Sequence, residues 1–253
     1  MNGITFYPVG SSPALTYAKA FLLRRGACVA EVPNDSVTHL LLPVPSFDAE
    51  GQLRGGGNLG NVLVELPDDV VIMGGNLNHP LTESYRTVDF LQDECYLAEN
   101  AAITADCAIP IAQSKLPVVI PGCPILIIGW GRIGKCLAAK LMDMGADVTV
   151  SVRKESDHAM LRALGFRSEY TKELGPSLGR YRVIFNTAPF PVIRENQAVH
   201  CRDDCVKIDL ASKPGIFGAD VISARGLPGM YAPESSGALI ARTAIRYALR
   251  KEQ

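Results

Sequence analysis

Three glycines, Gly129, Gly131 and Gly134 in the stretch ILIIGWGRIGKCLAAKL, follow an apolar β-rich run and open an amphipathic helix. In that context the spacing reads as a dinucleotide fingerprint. Gly129 makes the tight turn, Gly131 lets backbone N–H groups approach a pyrophosphate, and Gly134 lets the helix pack close to the strand. Arg132 and Ile133 lie between the last two glycines, where unpaired N–H groups and the positive end of the helix dipole favour an anion. The next apolar run, ADVTVSVRK, ends in Ser151, Val152, Arg153 and Lys154 without the Asp or Glu that usually holds an adenosine ribose. The Ser151 hydroxyl and Arg153 guanidinium suit a ribose 2′-phosphate, so the pattern favours NADP(H), with NAD(H) as the alternative. A merely solvated basic pair is the other reading of Arg153 and Lys154.

Two further runs, VIFNTAP and VKIDLASKPG, end apolar strands in small polar residues and proline. Ligands of open α/β sheets bind outside the carboxyl ends of the strands, which places Asn186, Thr187, Ser212 and Lys213 at the expected crevice. Lys213 could equally be a surface cation, and Asp209 reads as a residue that ties down a loop. Near the amino terminus, PVGSSPAL puts Ser11 and Ser12 after a strand and Pro13 in a first helical turn, with Ser12 as the cap. If the two layers face one another, Ser11 or Ser12 would bind one end of a small dicarboxylate and Ser212 with Lys213 the other. Seven cysteines show no C-x-x-C spacing, and Cys201, Cys205 and His200 fit no zinc pattern. No metal is expected, and most thiols read as reduced core residues.

These residues need a scaffold, and the alternation of apolar runs with helical periods supplies an α/β fold. Strands are expected at Ile4–Val9, Ala27–Val32, Thr38–Leu42 and Val70–Met73, with a helix at Pro13–Arg25 and a mobile loop over Val44–Gly60. A helix over Asp93–Lys115 would link this small layer to a second one. There, strands at Ile125–Ile128, Asp147–Val152, Val183–Asn186, Val206–Leu210 and Val221–Ser223 alternate with helices at Ile133–Met144 and Ser156–Leu164. A final helix, Ser235–Arg250, has a serine cap and an apolar face suited to packing at the domain junction. The expected organisation is a smaller α/β domain over 1–92, a linking helix over 93–117, a Rossmann doubly wound parallel sheet over 118–232 and a C-terminal helix over 233–253.

With 253 residues, 47% hydrophobic and 20% charged, the chain can bury a sizeable core. A net charge of −1 favours neither nucleic acid nor an anionic membrane. The longest uncharged apolar run, Leu116–Ile128, is too short for a bilayer and is broken by Pro117, Pro121 and Pro124. The amino terminus has no secretory pattern, so a cytoplasmic location is expected.

The motifs YLAENAAITADCAI, ILIIGWGRIG, VIFNTAP, IDLASKPG and GLPGMYAPESSGALIA, in that order, resemble those of the dipicolinate synthase A-subunit family. HLLLPVPSF and VVIMGG extend the resemblance more weakly over the first domain. The resemblance implies NAD(P)-dependent oxidation of a dihydrodipicolinate-type compound to pyridine-2,6-dicarboxylate during bacterial sporulation, with a flavoprotein-like second subunit. It also implies catalytic roles for Asn100, Thr104 and Lys213 and a substrate contact at Ser235; a homo-oligomer is expected. Removing hydride from a dihydropyridine yields an aromatic ring, so such a site needs positioning more than a strong base. That agrees with the absence of a triad or His–carboxylate pair in the sequence. One rival is a D-2-hydroxyacid dehydrogenase, which would use a histidine near the late proline motif; GLPGMYAP has none. The other is a non-catalytic NADP(H)-binding subunit.

Overall fold

The computed structural model describes residues 3–250; residues 1–2 and 251–253, the ends of the first and last expected segments, lie outside them. The chain divides into two compact units, Met1–Ile103 with Pro228–Gln253, and Thr104–Leu227.

The first unit holds β1 (Thr5–Pro8), α1 (Pro13–Arg24), β2 (Cys28–Val29), β3 (His39–Leu41), α2 (Leu59–Val64), β4 (Val71–Gly74) and β5 (Thr87–Asp89). The helix α3 (Glu94–Gln113) runs across the division between the units. The five strands are parallel in the order β2-β1-β3-β4-β5, and the order reverses between β1 and β3. Successive side chains of a strand point to opposite faces. Phe6, Leu41 and Met73 therefore pack with Leu15, Ala18 and Leu22 of α1, while Leu40, Leu42 and Ile72 pack with Leu59, Leu63 and Leu66. Covering both faces is what a parallel sheet requires.

The second unit holds β6 (Pro124–Ile128), α4 (Arg132–Asp143), β7 (Asp147–Val152), α5 (Glu155–Ala163), β8 (Arg167–Tyr170), β9 (Val183–Asn186), α6 (Glu195–Ala198), β10 (Val206–Asp209) and β11 (Val221–Ser223). Its parallel order, β11-β10-β9-β6-β7-β8, is the Rossmann order, reversing between β6 and β9. Ile125 to Ile128 are each 0% exposed, as a central strand covered on both faces demands.

Two helical stretches close the described chain, α7 (Leu227–Tyr231) and α8 (Pro233–Ala248). Within the first unit α8 lies against α1. A Cβ on Gly237 would come 2.6 Å from Tyr17 Cβ and 2.7 Å from the Ala18 nitrogen, so this approach needs glycine. Asp93 is 8% exposed and accepts from Arg246 Nη2 at 2.7 Å, Arg246 Nη1 at 3.1 Å and the Tyr247 hydroxyl at 2.7 Å.

Several expectations need correction. Ser235 is not the cap of the last helix: the helix begins at Pro233, with Ala232 at the cap position. A proline at the first helical position has its φ already set and lacks an N–H that would have no partner there, so it takes the start. The strand expected over Ala27–Val32 narrows to β2, and β5, β8, α2, α6 and α7 lie outside the expected elements. The segment expected to be a mobile loop is pinned to the sheet. Ser46 is fully buried, donates to the Pro43 carbonyl at 2.8 Å and accepts from the Gly75 N–H at 3.1 Å, and Phe47 bridges Leu53.

Candidate dinucleotide site

The strand order of the second unit reverses between the paired strands β6 and β9, and the glycine motif follows the carboxyl end of β6, where such a reversal leaves a crevice. Gly129 follows β6 with φ +102°, a conformation that side chains rarely adopt. A Cβ there would also lie 2.6 Å from Thr187 Oγ1. The Thr187 hydroxyl is fixed, donating at 2.9 Å to the Ile128 carbonyl, and its N–H donates to the same oxygen at 2.9 Å. Gly134 is needed by packing, since a Cβ on it would strike the Gly129 carbonyl. Gly131 differs: it has an ordinary extended φ of −79° and nothing within 4 Å of where its Cβ would stand. The protein's own packing does not require glycine at 131, but a ligand approaching the first turn of α4 would. Gly131 is the cap position of that helix and offers no side-chain acceptor to its free N–H groups. The cradle therefore fits a pyrophosphate.

One pocket brings Gly129, Gly131, Ser151, Arg153 and Thr187 together with Trp130, Lys154, Asp157, Thr171 and Phe190. The Arg153 guanidinium lies over the Phe190 ring, 4.3 Å from its centre, and is exposed. Among the described residues no carboxylate pairs with it. Ser151 is fully buried, and its hydroxyl is 2.7 Å from Thr171 Oγ1. Arg132 and Ile133 open α4, the first exposed and the second half-buried.

Asn186 is placed differently from its neighbours. It is fully buried, and its amide donates to Asp209 Oδ1 at 2.8 Å and to the Ala188 carbonyl at 3.0 Å while accepting from the Ala188 N–H at 3.1 Å. Asp209 in turn accepts from the Ala211, Gly215 and Ile216 N–H groups at 3.1, 2.7 and 3.2 Å. It ties down the loop, as its position at the strand end suggested. Ser212 and Lys213 are carried exposed on that loop beyond β10.

The remaining candidates are dispersed. In the first unit the reversal between β1 and β3 puts Ser11 and Ser12 outside the carboxyl end of β1. Ser11 Oγ donates to the Gly55 carbonyl at 2.5 Å, and Ser12 caps α1 by accepting from the Leu15 N–H at 3.2 Å. Asn100 is half-buried and Thr104 buried, one turn apart on α3; Ser235 is exposed in the first turn of α8. The sequence reading missed Trp130, Asp157, Thr171 and Phe190. Trp130 lies inside the glycine motif and Phe190 directly follows NTAP, so both were available as signals. Asp157 stands in the first turn of α5 rather than at the end of β7, where an acid was sought.

None of the four histidines lines this pocket. His39 pairs with Thr38 at 2.8 Å and burial holds its pKa below the usual value, His79 stacks on Phe47, and His158 meets Ser168 at 2.6 Å. His200 is exposed near α6. Among the described residues no cluster of three metal-binding side chains occurs, and no helix is long and apolar enough to cross a membrane.

No family model matches the chain. It is similar to the dipicolinate synthase A-subunit of Bacillus subtilis (strain 168), with 24% identity over 232 residues, 84% of this chain and 78% of that one. The crystal structure of the dipicolinate synthase A-subunit from Bacillus halodurans matches with a TM-score of 0.86 at 21% identity, covering 98% of this chain and 99% of that one. An NADPH-dependent glyoxylate/hydroxypyruvate reductase from Sinorhizobium meliloti, solved with NADP and sulfate, matches at a TM-score of 0.52 and 13% identity, covering 97% and 94%. The chain is thus similar in sequence and in fold to the dipicolinate synthase A-subunit.

Proposed function

We propose that this chain is an NADP-dependent oxidoreductase that converts a dihydrodipicolinate-type compound to pyridine-2,6-dicarboxylate. The observation that carries the reading is the pocket at the β6/β9 reversal, where the open cradle at Gly131 meets an unpaired Arg153 and no acid ends β7. When bound, the nicotinamide accepts a hydride. The chain's residues position the partners: N–H groups of the glycine turn hold the pyrophosphate, and Arg153 binds the 2′-phosphate with its face on Phe190. NAD is the alternative cofactor. Ser212 and Lys213 hold one carboxylate of the substrate, with Thr104 as a further contact implied by the family resemblance. Aromatisation drives the loss of hydride, so no strong base is called for, in keeping with a pocket lining free of His, Cys and Tyr.

That same lining favours a second reading, a cofactor-binding subunit that completes a partner's site. A flavoprotein-like second subunit, self-association and action in the cytoplasm of a sporulating cell belong to the proposal. The test is turnover: the purified chain is mixed with NADP⁺ and freshly generated dihydrodipicolinate, and absorbance of reduced cofactor is followed. Reduced cofactor forming with the chain alone supports the first reading. Tight NADP⁺ binding without turnover overturns it in favour of the second.

A further inference from the structure

We propose that Cys201 and Cys205 form a peroxide-reactive pair that closes to an intrachain disulfide. The two residues bracket the turn CRDDC between α6 and β10. The turn is held from both sides: the Cys205 N–H donates to the Arg202 carbonyl at 3.1 Å, and the Cys201 N–H donates to the Ala198 carbonyl at 3.0 Å. Asp204 in the turn is gripped by Arg202 Nε at 2.7 Å and by Arg182 Nη1 at 2.8 Å. Both thiols are free and stand four residues apart across this turn, with the Cys205 Sγ donating to the Val206 carbonyl at 4.0 Å. They pack on the same apolar cluster, which includes Leu126 and Ile128 of β6 and Ile184 of β9.

The two sulfurs are not equivalent. Cys205 is 6% exposed, whereas Cys201 is only half-buried and can meet a small solute. The neighbouring Cys205 thiol, helped by the Lys207 ammonium, holds the Cys201 thiol below the usual range, while the neighbouring Cys201 and burial push Cys205 up. Cys201, the more accessible of the two, is therefore the attacking sulfur and the buried Cys205 the resolving one. Elsewhere, burial pushes the thiols of Cys107, Cys123 and Cys136 up, which disfavours their reaction.

The chemistry balances with a hydroperoxide as oxidant. The Cys201 thiolate attacks one peroxide oxygen, the O–O bond breaks, and the departing hydroxide or alkoxide takes a proton from solvent, leaving a sulfenic acid. The Cys205 sulfur then attacks the sulfenic sulfur. An S–S bond forms as the S–O bond breaks, and the departing hydroxide leaves as water with the Cys205 proton. Two thiols are oxidised and one peroxide is reduced. The closed ring would brace the entry to β10, the strand whose Asp209 holds the Ser212–Lys213 loop.

The experiment treats the full reduced chain with hydrogen peroxide at neutral pH, then blocks free thiols and maps peptides by mass. Wild type should lose two of its seven thiols first, through a Cys201–Cys205 linkage that dithiothreitol reverses. Cys205→Ser should accumulate a sulfenic acid at position 201 that dimedone captures, and Cys201→Ser should leave Cys205 reduced. Oxidation that falls first on the exposed Cys28 or Cys95 with Cys201 and Cys205 still reduced overturns the proposal, as does a linkage between chains. The wild-type map decides the matter even if a variant fails to fold.

Discussion

Gly131→Val should abolish cofactor binding in a chain that still folds, whereas Gly134→Ala should damage the fold itself. The difference follows from what each new Cβ meets. At Gly134 it strikes the Gly129 carbonyl, a backbone atom fixed by the turn, so the cost falls at the upper end of overpacking, about 3 kcal/mol. At Gly131 the backbone suits any side chain and the space is open, leaving only the weaker cap, about 0.5–1 kcal/mol. For a chain of this size about 2–4 °C is lost per kcal/mol, so Gly131→Val should lower Tm by about 1–4 °C and Gly134→Ala by about 6–12 °C. The valine methyls would occupy the approach of the pyrophosphate to the helix N–H groups and should weaken NADP⁺ by at least about 100-fold, roughly 2.7 kcal/mol. Thermal melts paired with calorimetric titration of NADP⁺ read both quantities. Wild-type affinity in a folded Gly131→Val chain would refute the reasoning, because the motif would then be a turn and nothing more.

Two other outcomes are expected. Asp93→Asn should cost about 2–3 kcal/mol, since it leaves Arg246 and Tyr247 without a charged acceptor. Because Arg246 holds the Asp93 pKa well below the usual carboxylate range, this contribution is present above about pH 4 and is lost as pH falls further. Urea melts from neutral to acid pH should therefore show the variant's deficit shrinking as pH falls below about 4, and a constant deficit contradicts the ion pair. Pyridine-2,6-dicarboxylate should raise the Tm of the NADP(H) complex more than pyridine-2-carboxylate, and Lys213→Met should erase that difference while sparing cofactor affinity. Equal shifts from both acids in the wild-type protein would remove the dicarboxylate from the account.

The parts that local sequence decides were legible. ILII announces a strand buried on both faces, and GWGRIG specifies its turn residue by residue. Edge strands were not: β8 is RSEY and β5 is TVD, half-exposed segments whose polar residues hide the pattern. The opposite error occurred at β2, where an apolar run ending in Val32, 63% exposed, promised a longer strand than the sheet uses. The pocket divides in the same way. Gly131 and Arg153 could be read from their own segments, but Phe190, Asp157 and Thr171 meet them only through the order of parallel strands. Asn186 illustrates the limit of positional reasoning: it stands at the crevice end of β9, yet its side chain is engaged by Asp209.

The account turns on NADP(H) as the cofactor, and calorimetric titration of NADP⁺ and NAD⁺ into wild type and Arg153→Asp tests it most directly. Arg153 offers the ribose phosphate an exposed guanidinium that no carboxylate neutralises among the described residues. A charge-assisted contact of this kind contributes about 1.5–3 kcal/mol, so the substitution should weaken NADP⁺ by about 10- to 150-fold and NAD⁺ far less. Equal losses for the two cofactors, or a wild-type preference for NAD⁺, would contradict it.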